Sequence, residues 1–201
     1  MSDRPSLREE LAAAARRVAD EGLVVGTGGN LSVRDGDDVL VTASGVDLAR
    51  CTADDVVAVG LDGAPRDPAA AAPTSELPLH LGVYADSGCA AVVHVHAPWS
   101  TAVACVLDEL PVAHYQQLLL GGPIRVAPYS TFGTPELADG VRAALEGRSV
   151  VPGAELAAFA AELASTPDPG RSAAVSARNR LVGIVTAVKK DTVMAQVDMV
   201  C

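Results

Sequence analysis

Short apolar runs bounded by glycine, aspartate and proline residues dominate the first hundred positions of the chain. Asp35 and Gly36 lie between two of these runs, at the kind of turn that closes a β-hairpin. The pattern therefore predicts an early hairpin followed by further strands. The four predicted strands lie at residues 31–34, 39–42, 56–61 and 91–96.

Helix signals stand before, between and after these strands. Ser6 and Glu9 have the spacing of a capping box, which predicts a helix running to about Gly22. Because strands and helices alternate irregularly, the expected fold class is α/β, with mixed layers around one sheet. Two further helices are expected, at residues 76–85 and, opened by Thr134 and Pro135, up to about Gly147.

The segment VVHVHAP carries the pattern with the clearest chemical meaning. In an extended strand alternate side chains share a face, at a rise of about 3.3 Å per residue. His94 and His96 are therefore expected side by side, with Val93 and Val95 facing the other way. Neutral imidazoles ligate zinc and similar ions, and Glu76 is the candidate for the carboxylate that a catalytic site adds. The alternative is that both histidines are merely buried and hydrogen-bonded.

Composition narrows the classes of protein to which the chain can belong. With 201 residues and 49% hydrophobic content it can bury a sizeable core. A net charge of −10 argues against a general nucleic-acid binder, because no broad basic face is available for phosphates. The four cysteines have no CxxC spacing, which favours free thiols and a cytoplasmic location. No signal-type apolar stretch follows the charged N-terminus, and the polar residues within 88–107 argue against a membrane span.

Three polar clusters precede the histidine pair, and each has groups suited to an anion. Glycine turns let backbone N–H groups approach an anion closely, and hydroxyls at a helix start favour phosphate. Taken alone, each cluster is more often an ordinary turn or cap. Their significance comes from their ordered succession. They are Gly28, Gly29 and Asn30 in GTGGN, Ser44 and Gly45 in TASG, and Thr74 and Ser75 before a predicted helix.

This ordered set resembles the class II aldolase/adducin family, in which GNLS, TxSG, SSE and HxH motifs follow one another at similar spacing. The resemblance continues through AHYQ, GGPIRVAPY and TFGTPELA, so it covers about residues 7–148. It implies a layered sheet with flanking helices.

The resemblance also implies roles for individual residues. Glu76 would be the catalytic acid/base, and it would hold one divalent metal ion per subunit together with His94 and His96. That ion would be Zn²⁺, with Mn²⁺ or Co²⁺ as alternatives. Tyr115 would act in a neighbouring subunit's site, because enzymes of the family are typically cyclic homotetramers. The substrate's phosphate or carboxylate end would be bound by Gly29, Asn30, Ser44, Gly45, Thr74 and Ser75.

Such a site predicts a metal-dependent aldehyde-lyase acting on a small sugar phosphate or hydroxyketo acid. A divalent ion chelated by a ketone and a hydroxyl stabilises the enediolate left when a carbon–carbon bond breaks, and Glu76 shuttles the proton. Burial would raise the pKa of Glu76 and metal ligation would lower it, so its direction is open at this point. The same enediolate serves epimerases, dehydratases and decarboxylases, which remain alternatives.

One expected ligand is missing from the sequence. The family carries a third histidine in an LLxNHG-like strand after the helix that ends near residue 147. This chain reads EGRSVVPGAELAAFAAELAS there and has no histidine after His114. His80 and His114 are the candidate substitutes. The loss predicts weak metal binding and impaired activity, and it keeps open a non-catalytic, adducin-like interaction protein.

The C-terminal segment differs from the rest in composition and resemblance. The sequence predicts a class II aldolase/adducin-like domain at residues 1–164, incomplete at its C-terminal end, and a linker at 165–173. Residues 174–201 resemble the first half of a molybdate-binding Mop/TOBE module. Alternation at residues 181–188 and 193–200 predicts a short β-hairpin, turning at Lys190 and Asp191. A plain hairpin and an oxyanion-binding (molybdate) protein acting through this tail are both open readings. The resemblance implies an oxyanion site at Ser176, Ala177, Arg178 and Asn179.

Overall fold

The computed structural model describes residues 6–148 and the backbone of residues 180–181, 185–186 and 199–200. Four α-helices lie in the first range: α1 (Leu7–Asp20), α2 (Leu77–Asp86), α3 (Pro98–Ala104) and α4 (Pro135–Leu145). The strands are β1 (Asn30–Asp35), β2 (Asp38–Thr42), β3 (Val56–Gly60), β4 (Ala91–His94), β5 (Glu109–Leu110), β6 (Ile124–Arg125), β7 (Arg180–Leu181), β8 (Val185–Thr186) and β9 (Met199–Val200). Short 3-10 helices occupy Leu48–Arg50, Ala53–Asp55 and Tyr115–Leu120.

An antiparallel sheet in the order β3-β2-β1-β4-β8 organises the molecule. Its first two strands form the predicted hairpin. Asp35 pairs with Asp38, so the turn residues are Gly36 and Asp37, one position beyond the predicted pair. Gly36 has a φ of 64°, which a residue without Cβ adopts readily.

Helices cover both faces of this sheet, which confirms the predicted α/β layers. Val39, Val41 and Val92 belong to the core that includes residues of α2 and α4. Leu31 and Leu40 belong to a second core, which includes the buried side of α1. Because neighbouring residues of one strand point to opposite faces, β2 contributes to both cores, as a strand buried on both sides does.

The predicted helix starts are correct to within one residue. The Ser6 side chain accepts from the N–H of Glu9, whose carboxylate bonds back to the N–H of Ser6, completing the predicted capping box. The Thr134 hydroxyl accepts from the N–H of Leu137 at the start of α4. Glu76 was expected inside α2 but is its N-cap, with φ −84° and ψ 10°. Its backbone N–H is turned toward the Thr74 hydroxyl, so the helix begins one residue later.

The strand carrying the histidine pair is shorter than predicted. It pairs with β1 only as far as Asn30, which lies opposite His94. Beyond that point β1 offers no partner, because the chain enters the glycine loop at Gly29, where φ is 79°. β4 therefore ends at His94, and His96 follows the strand rather than lying in it. The prediction of one strand through residue 96 was wrong.

Parts of the C-terminal segment also pair as strands. Residues 180–181 pair antiparallel with 199–200, in a register symmetric about residue 190, where the hairpin turn was predicted. Residues 185–186 instead pair with Val92 and Val93 at the edge of the main sheet. The linker at 165–173 and the candidate oxyanion residues 176–179 lie outside the described residues. In the described part of the chain no helix is long and apolar enough to cross a bilayer.

Candidate functional site

A cavity of about 230 Å³ opens at the end of the sheet where β1 begins and β4 ends. All three predicted polar clusters reach its wall, together with Glu76, His94 and His96. A larger cavity of about 670 Å³ lies between α2 and α4 and contains none of the predicted site residues. The smaller cavity is therefore the candidate site. Its lining comprises Thr27, Gly28, Gly29, Asn30, Ala43, Ser44, Gly45, Val46, Thr74, Ser75, Glu76, His94, His96, Tyr129, Ser130 and Phe132.

The glycine loop is packed directly against the histidine segment. A Cβ on Gly29 would come within 2.6 Å of Val24 Cγ1 and 2.8 Å of the carbonyl oxygen of His94. A Cβ on Gly28 would meet Nδ1 of His96 at 3.3 Å. Gly29 thus combines a left-handed backbone with a close approach that a side chain would block. This packing brings the loop amides and the two imidazoles to the same cavity.

Glu76 is buried in the cavity wall at the start of α2, with 5% of its surface exposed. Burial raises the pKa of its carboxyl, and a hydrogen bond from the backbone of Gly133 only partly opposes the shift. Within the described residues, Oε2 of Glu76 is buried and has no hydrogen-bond partner. A carboxyl in that condition holds and releases a proton more readily near neutral pH than an exposed one does.

The two imidazoles lie side by side although only one belongs to the strand. The ring centroids of His94 and His96 are 5.0 Å apart, and the ring planes are tilted by 42°. Burial lowers the pKa of His94 to about 3, with further lowering from His96 and His80. Burial also lowers the pKa of His96. Both rings are therefore neutral at neutral pH, which is the form that ligates a metal ion.

These donors have the chemistry for a divalent ion, but they do not form a complete coordination group. Two neutral imidazoles and a carboxylate with an unpartnered oxygen line one cavity. Among the described residues, however, no three His, Cys, Asp or Glu side chains lie close enough together to hold a metal ion. The three-ligand set of Glu76, His94 and His96 stays a prediction.

Neither candidate substitute for the third histidine is placed to complete the set. Both ring nitrogens of His80 are hydrogen-bonded, Nε2 to Asn30 Oδ1 at 2.5 Å and Nδ1 to Ser32 Oγ at 2.6 Å. His114 accepts the N–H of Gln116 at the start of a 3-10 helix and does not line the cavity.

A buried hydrogen-bonded relay behind the cavity was missed by sequence reasoning. It runs from Asn30 through His80 and Ser32 to Tyr84, whose hydroxyl is 2.7 Å from Ser32 Oγ. Asn30 and Ser32 are two apart on β1, and His80 and Tyr84 are four apart on α2. Each pair therefore shares one face of its own element. That double spacing is the signal in the sequence that could have revealed the relay.

Other site residues come from the segment between β6 and α4. Tyr129, Ser130 and Phe132 line the cavity, and the backbone of Gly133 bonds to Glu76. The sequence signal for them is the resemblance of GGPIRVAPY and TFGTPELA to the family, from which no individual site residue was predicted.

Tyr115 stands apart from the other predicted site residues. It is 70% exposed and does not line the cavity of its own chain. Its ring packs beside His114, with centroids 4.5 Å apart.

Comparison with known proteins gives the chain relatives in one family. The profile of the class II aldolase and adducin N-terminal domain matches residues 9–160. The chain is 44% identical over 147 residues to a 5-methylthioribulose-1-phosphate/5-deoxyribulose-1-phosphate aldolase of Rhodospirillum rubrum, covering 72% of this chain and 66% of that protein. It is 40% identical over 129 residues to the L-fuculose phosphate aldolase of Escherichia coli, covering 63% and 59%. The matched part spans 66% and 59% of the length of these two relatives, less than two thirds in both cases.

A solved structure gives the same result for the fold. An L-fuculose 1-phosphate aldolase superposes with a TM-score of 0.73 at 29% identity. The superposition covers 94% of this chain and 79% of the other. The layered α/β architecture is therefore shared with this L-fuculose 1-phosphate aldolase.

Proposed function

We propose that this protein, which belongs to the class II aldolase/adducin family, is a metal-dependent aldehyde-lyase that cleaves or forms a carbon–carbon bond in a small sugar phosphate. The main observation behind the proposal is the environment of Glu76. Its buried carboxyl, with a raised pKa and an unpartnered Oε2, lines the same cavity as the neutral histidine pair and the anion-binding turns. A hydroxyketo acid is the second substrate class that these groups fit.

The anionic end of the substrate is bound, in this proposal, at the glycine and serine side of the cavity. Gly29 and Gly45 expose backbone in a left-handed conformation, with φ of 79° and 74°. Thr74 and Ser75 add hydroxyls just before α2. The protein as a whole is strongly acidic, so these local donors must offset the repulsion of an anion.

Glu76 performs the proton transfer of the reaction. When a carbon–carbon bond next to a hydroxyl breaks, the hydroxyl proton leaves and the carbon end of the enediolate gains one. A buried carboxyl with a raised pKa can accept and return such a proton at a fixed position. Its burial in the cavity wall and the hydrogen bond from Gly133 hold it in place.

One divalent ion, Zn²⁺ with Mn²⁺ or Co²⁺ as alternatives, would be held by His94 and His96 with Glu76 as the third ligand. Bound there, it would act as a Lewis acid toward the substrate's carbonyl and adjacent hydroxyl oxygens. The missing third histidine predicts that this ion is held more weakly than by a complete ligand set.

Metal content and turnover together test the proposal. Elemental analysis of the purified chain is expected to give about one divalent ion per subunit, and less in His94→Ala and His96→Ala. His114→Ala is the matched control, because it removes a histidine outside the cavity and should leave the metal content unchanged. Cleavage of a ketose 1-phosphate between C3 and C4 is followed as released dihydroxyacetone phosphate. Metal content unaltered in both cavity variants would refute the ligand assignment.

A non-catalytic, adducin-like interaction protein is the second candidate function. It is favoured by the absence of any histidine after His114 and by the lack of a three-donor group among residues 6–148. A chain without bound metal and without turnover would support it, whereas stoichiometric metal with slow cleavage supports the lyase.

Association of subunits, as a homotetramer in the cytoplasm, forms part of the lyase proposal. Tyr115, Leu118 and Leu119 are exposed large apolar residues of one 3-10 helix, the last with 81% of its surface accessible. Such surfaces favour burial against another chain, which would let Tyr115 act in a neighbour's cavity. Light scattering is expected to give a mass above that of a monomer, and Leu119→Asp is expected to lower it.

A further inference from the structure

The relay behind the cavity ends on a residue of the candidate site. Asn30 lines the cavity and lies opposite His94 in the β1–β4 register. Its Oδ1 is 2.5 Å from Nε2 of His80, which is fully buried on α2. The other ring nitrogen is 2.6 Å from Ser32 Oγ, and that oxygen is 2.7 Å from the Tyr84 hydroxyl.

With Oδ1 of Asn30 facing His80, the chemistry of these groups sets the direction of each hydrogen bond. A carboxamide oxygen can only accept, so Nε2 of His80 carries the proton. Burial lowers the pKa of His80 to about 3, and the neutral ring therefore has a bare Nδ1. Nδ1 accepts the single hydroxyl proton of Ser32, whose oxygen in turn accepts from Tyr84.

We propose that His80 is a positioning residue that holds Oδ1 of Asn30 and so presents the NH₂ group of Asn30 to the cavity as a donor for a phosphate-type anion. The side chain of a free asparagine rotates and offers either its oxygen or its nitrogen. An oxygen facing the cavity would repel an anion, and an NH₂ group attracts it. His80 thereby selects for an anionic substrate end without contacting it.

The reversed relay gives the opposite prediction for the same four side chains. If the NH₂ group of Asn30 donated to His80, Nε2 would be bare and Nδ1 would carry the proton. The oxygen of Asn30 would then face the cavity. The tautomer of His80 therefore distinguishes the two arrangements without any substrate.

Long-range ¹H–¹⁵N correlation spectra of the ¹⁵N-histidine-labelled full chain at neutral pH read this tautomer. The chain has four histidines, and the spectrum of His80→Gln assigns the signal of His80. The expected pattern is that of an Nε2-protonated neutral ring. An Nδ1-protonated or a charged ring would overturn the proposal.

Two substitutions separate positioning from mere packing. The amide nitrogen of His80→Gln reaches the place of Nε2 and can still donate to Asn30, whereas the shorter His80→Asn reaches only the place of Nδ1. Calorimetric titration with inorganic phosphate is expected to show about tenfold weaker binding for His80→Asn, the factor for one hydrogen bond to a charged group. Binding by His80→Gln is expected to stay within about threefold of the wild type. Equal loss in both variants, no loss in either, or no phosphate binding by the wild type would each overturn the proposal.

If a His80 variant does not fold, Ser32→Ala still tests the proposal. Ser32→Ala removes the hydroxyl that fixes the tautomer, and it is expected to weaken phosphate binding by a smaller factor, about threefold. Unchanged affinity would count against the relay.

The proposal rests on the proposed lyase function only in naming the anion as part of the substrate. Intact phosphate binding without carbon–carbon cleavage would remove the lyase and leave the relay. Cleavage by the wild type together with full phosphate affinity in His80→Asn would remove the relay alone.

Discussion

Two groups of buried polar residues lie against the same cavity, and they differ in how their polar atoms are satisfied. In the relay, each of His80, Ser32 and Tyr84 bonds a neighbour within 2.7 Å. The second group consists of the candidate site residues in the cavity wall around Glu76, whose buried Oε2 has no hydrogen-bond partner among the described residues. Both groups are buried to a similar depth, so depth alone does not mark a functional group.

This difference distinguishes residues that stabilise the fold from residues that take part in binding or catalysis. A buried polar network with every member satisfied stabilises one arrangement of side chains. A buried carboxyl oxygen left unpaired destabilises the fold, and such an arrangement persists at sites where the group has a task in binding or catalysis. His80 would therefore be the wrong choice for a metal ligand, although it is as buried as His94.

The largest expected effect comes from the unsatisfied group. Glu76→Gln keeps the size of the side chain and removes the exchangeable proton, so the cleavage rate is expected to fall by about 10²- to 10⁴-fold. Stability should move the other way. Burial raises the pKa of Glu76, so its contribution to stability is present below the unfolded pKa and is lost as the pH rises through the folded pKa. At pH 7 the glutamine variant is therefore expected to melt at the same or a higher temperature.

Glu10→Gln is the matched control for this change. Glu10 is exposed in the first turn of α1, on the other side of the sheet. Its replacement should leave the rate unchanged and should lower the melting temperature only slightly, through the lost interaction of its charge with the helix dipole. Thermal unfolding by circular dichroism and a cleavage assay give both readings. A Glu76→Gln variant that melts lower and keeps its rate would place Glu76 with the supporting group.

The next largest expected effect is a loss of stability in two relay variants, which is larger for Ser32→Ala than for Tyr84→Phe. Ser32→Ala leaves Nδ1 of His80 without a partner and removes one bond of the Tyr84 hydroxyl, which keeps its bond to the backbone of Val92. The loss is expected to be about 2 kcal/mol in the free energy of unfolding. Tyr84→Phe leaves the Ser32 bond to His80 in place and should lose only about 1 kcal/mol. Urea unfolding curves of the two variants give these values. The opposite ranking would show that the bonds of the Tyr84 hydroxyl, and not the bond from Ser32 to His80, carry the stability.

Sequence motifs were sufficient where the chemistry is local. Glu76 and every predicted substrate-binding residue line the cavity, because each belongs to a contiguous turn or helix start that has its own signature. The relay joins β1 to α2 across about fifty positions, and neither segment alone shows which residues of the other it will contact. Likewise, the end of β4 at His94 depends on where β1 begins, a tertiary property that strand periodicity does not contain.

The smallest expected effect is a pH dependence that belongs to His80. Its pKa falls from 6.5 to about 3 on burial, so the fold favours the neutral ring. That contribution to stability is fully present above pH 6.5, and it is lost as the pH falls toward 3, because only the unfolded chain takes up the proton. The expected slope of the free energy of unfolding is about 1.4 kcal/mol per pH unit for this one group.

Urea unfolding of the wild type and of His80→Gln at pH 7.5, 6 and 5 isolates the contribution of His80, since all other titrating groups are shared. The stability difference between the two chains should shift against the wild type by about 1 kcal/mol from pH 6 to pH 5. A constant difference would mean that His80 takes up a proton in the folded chain and that the relay does not hold the ring neutral.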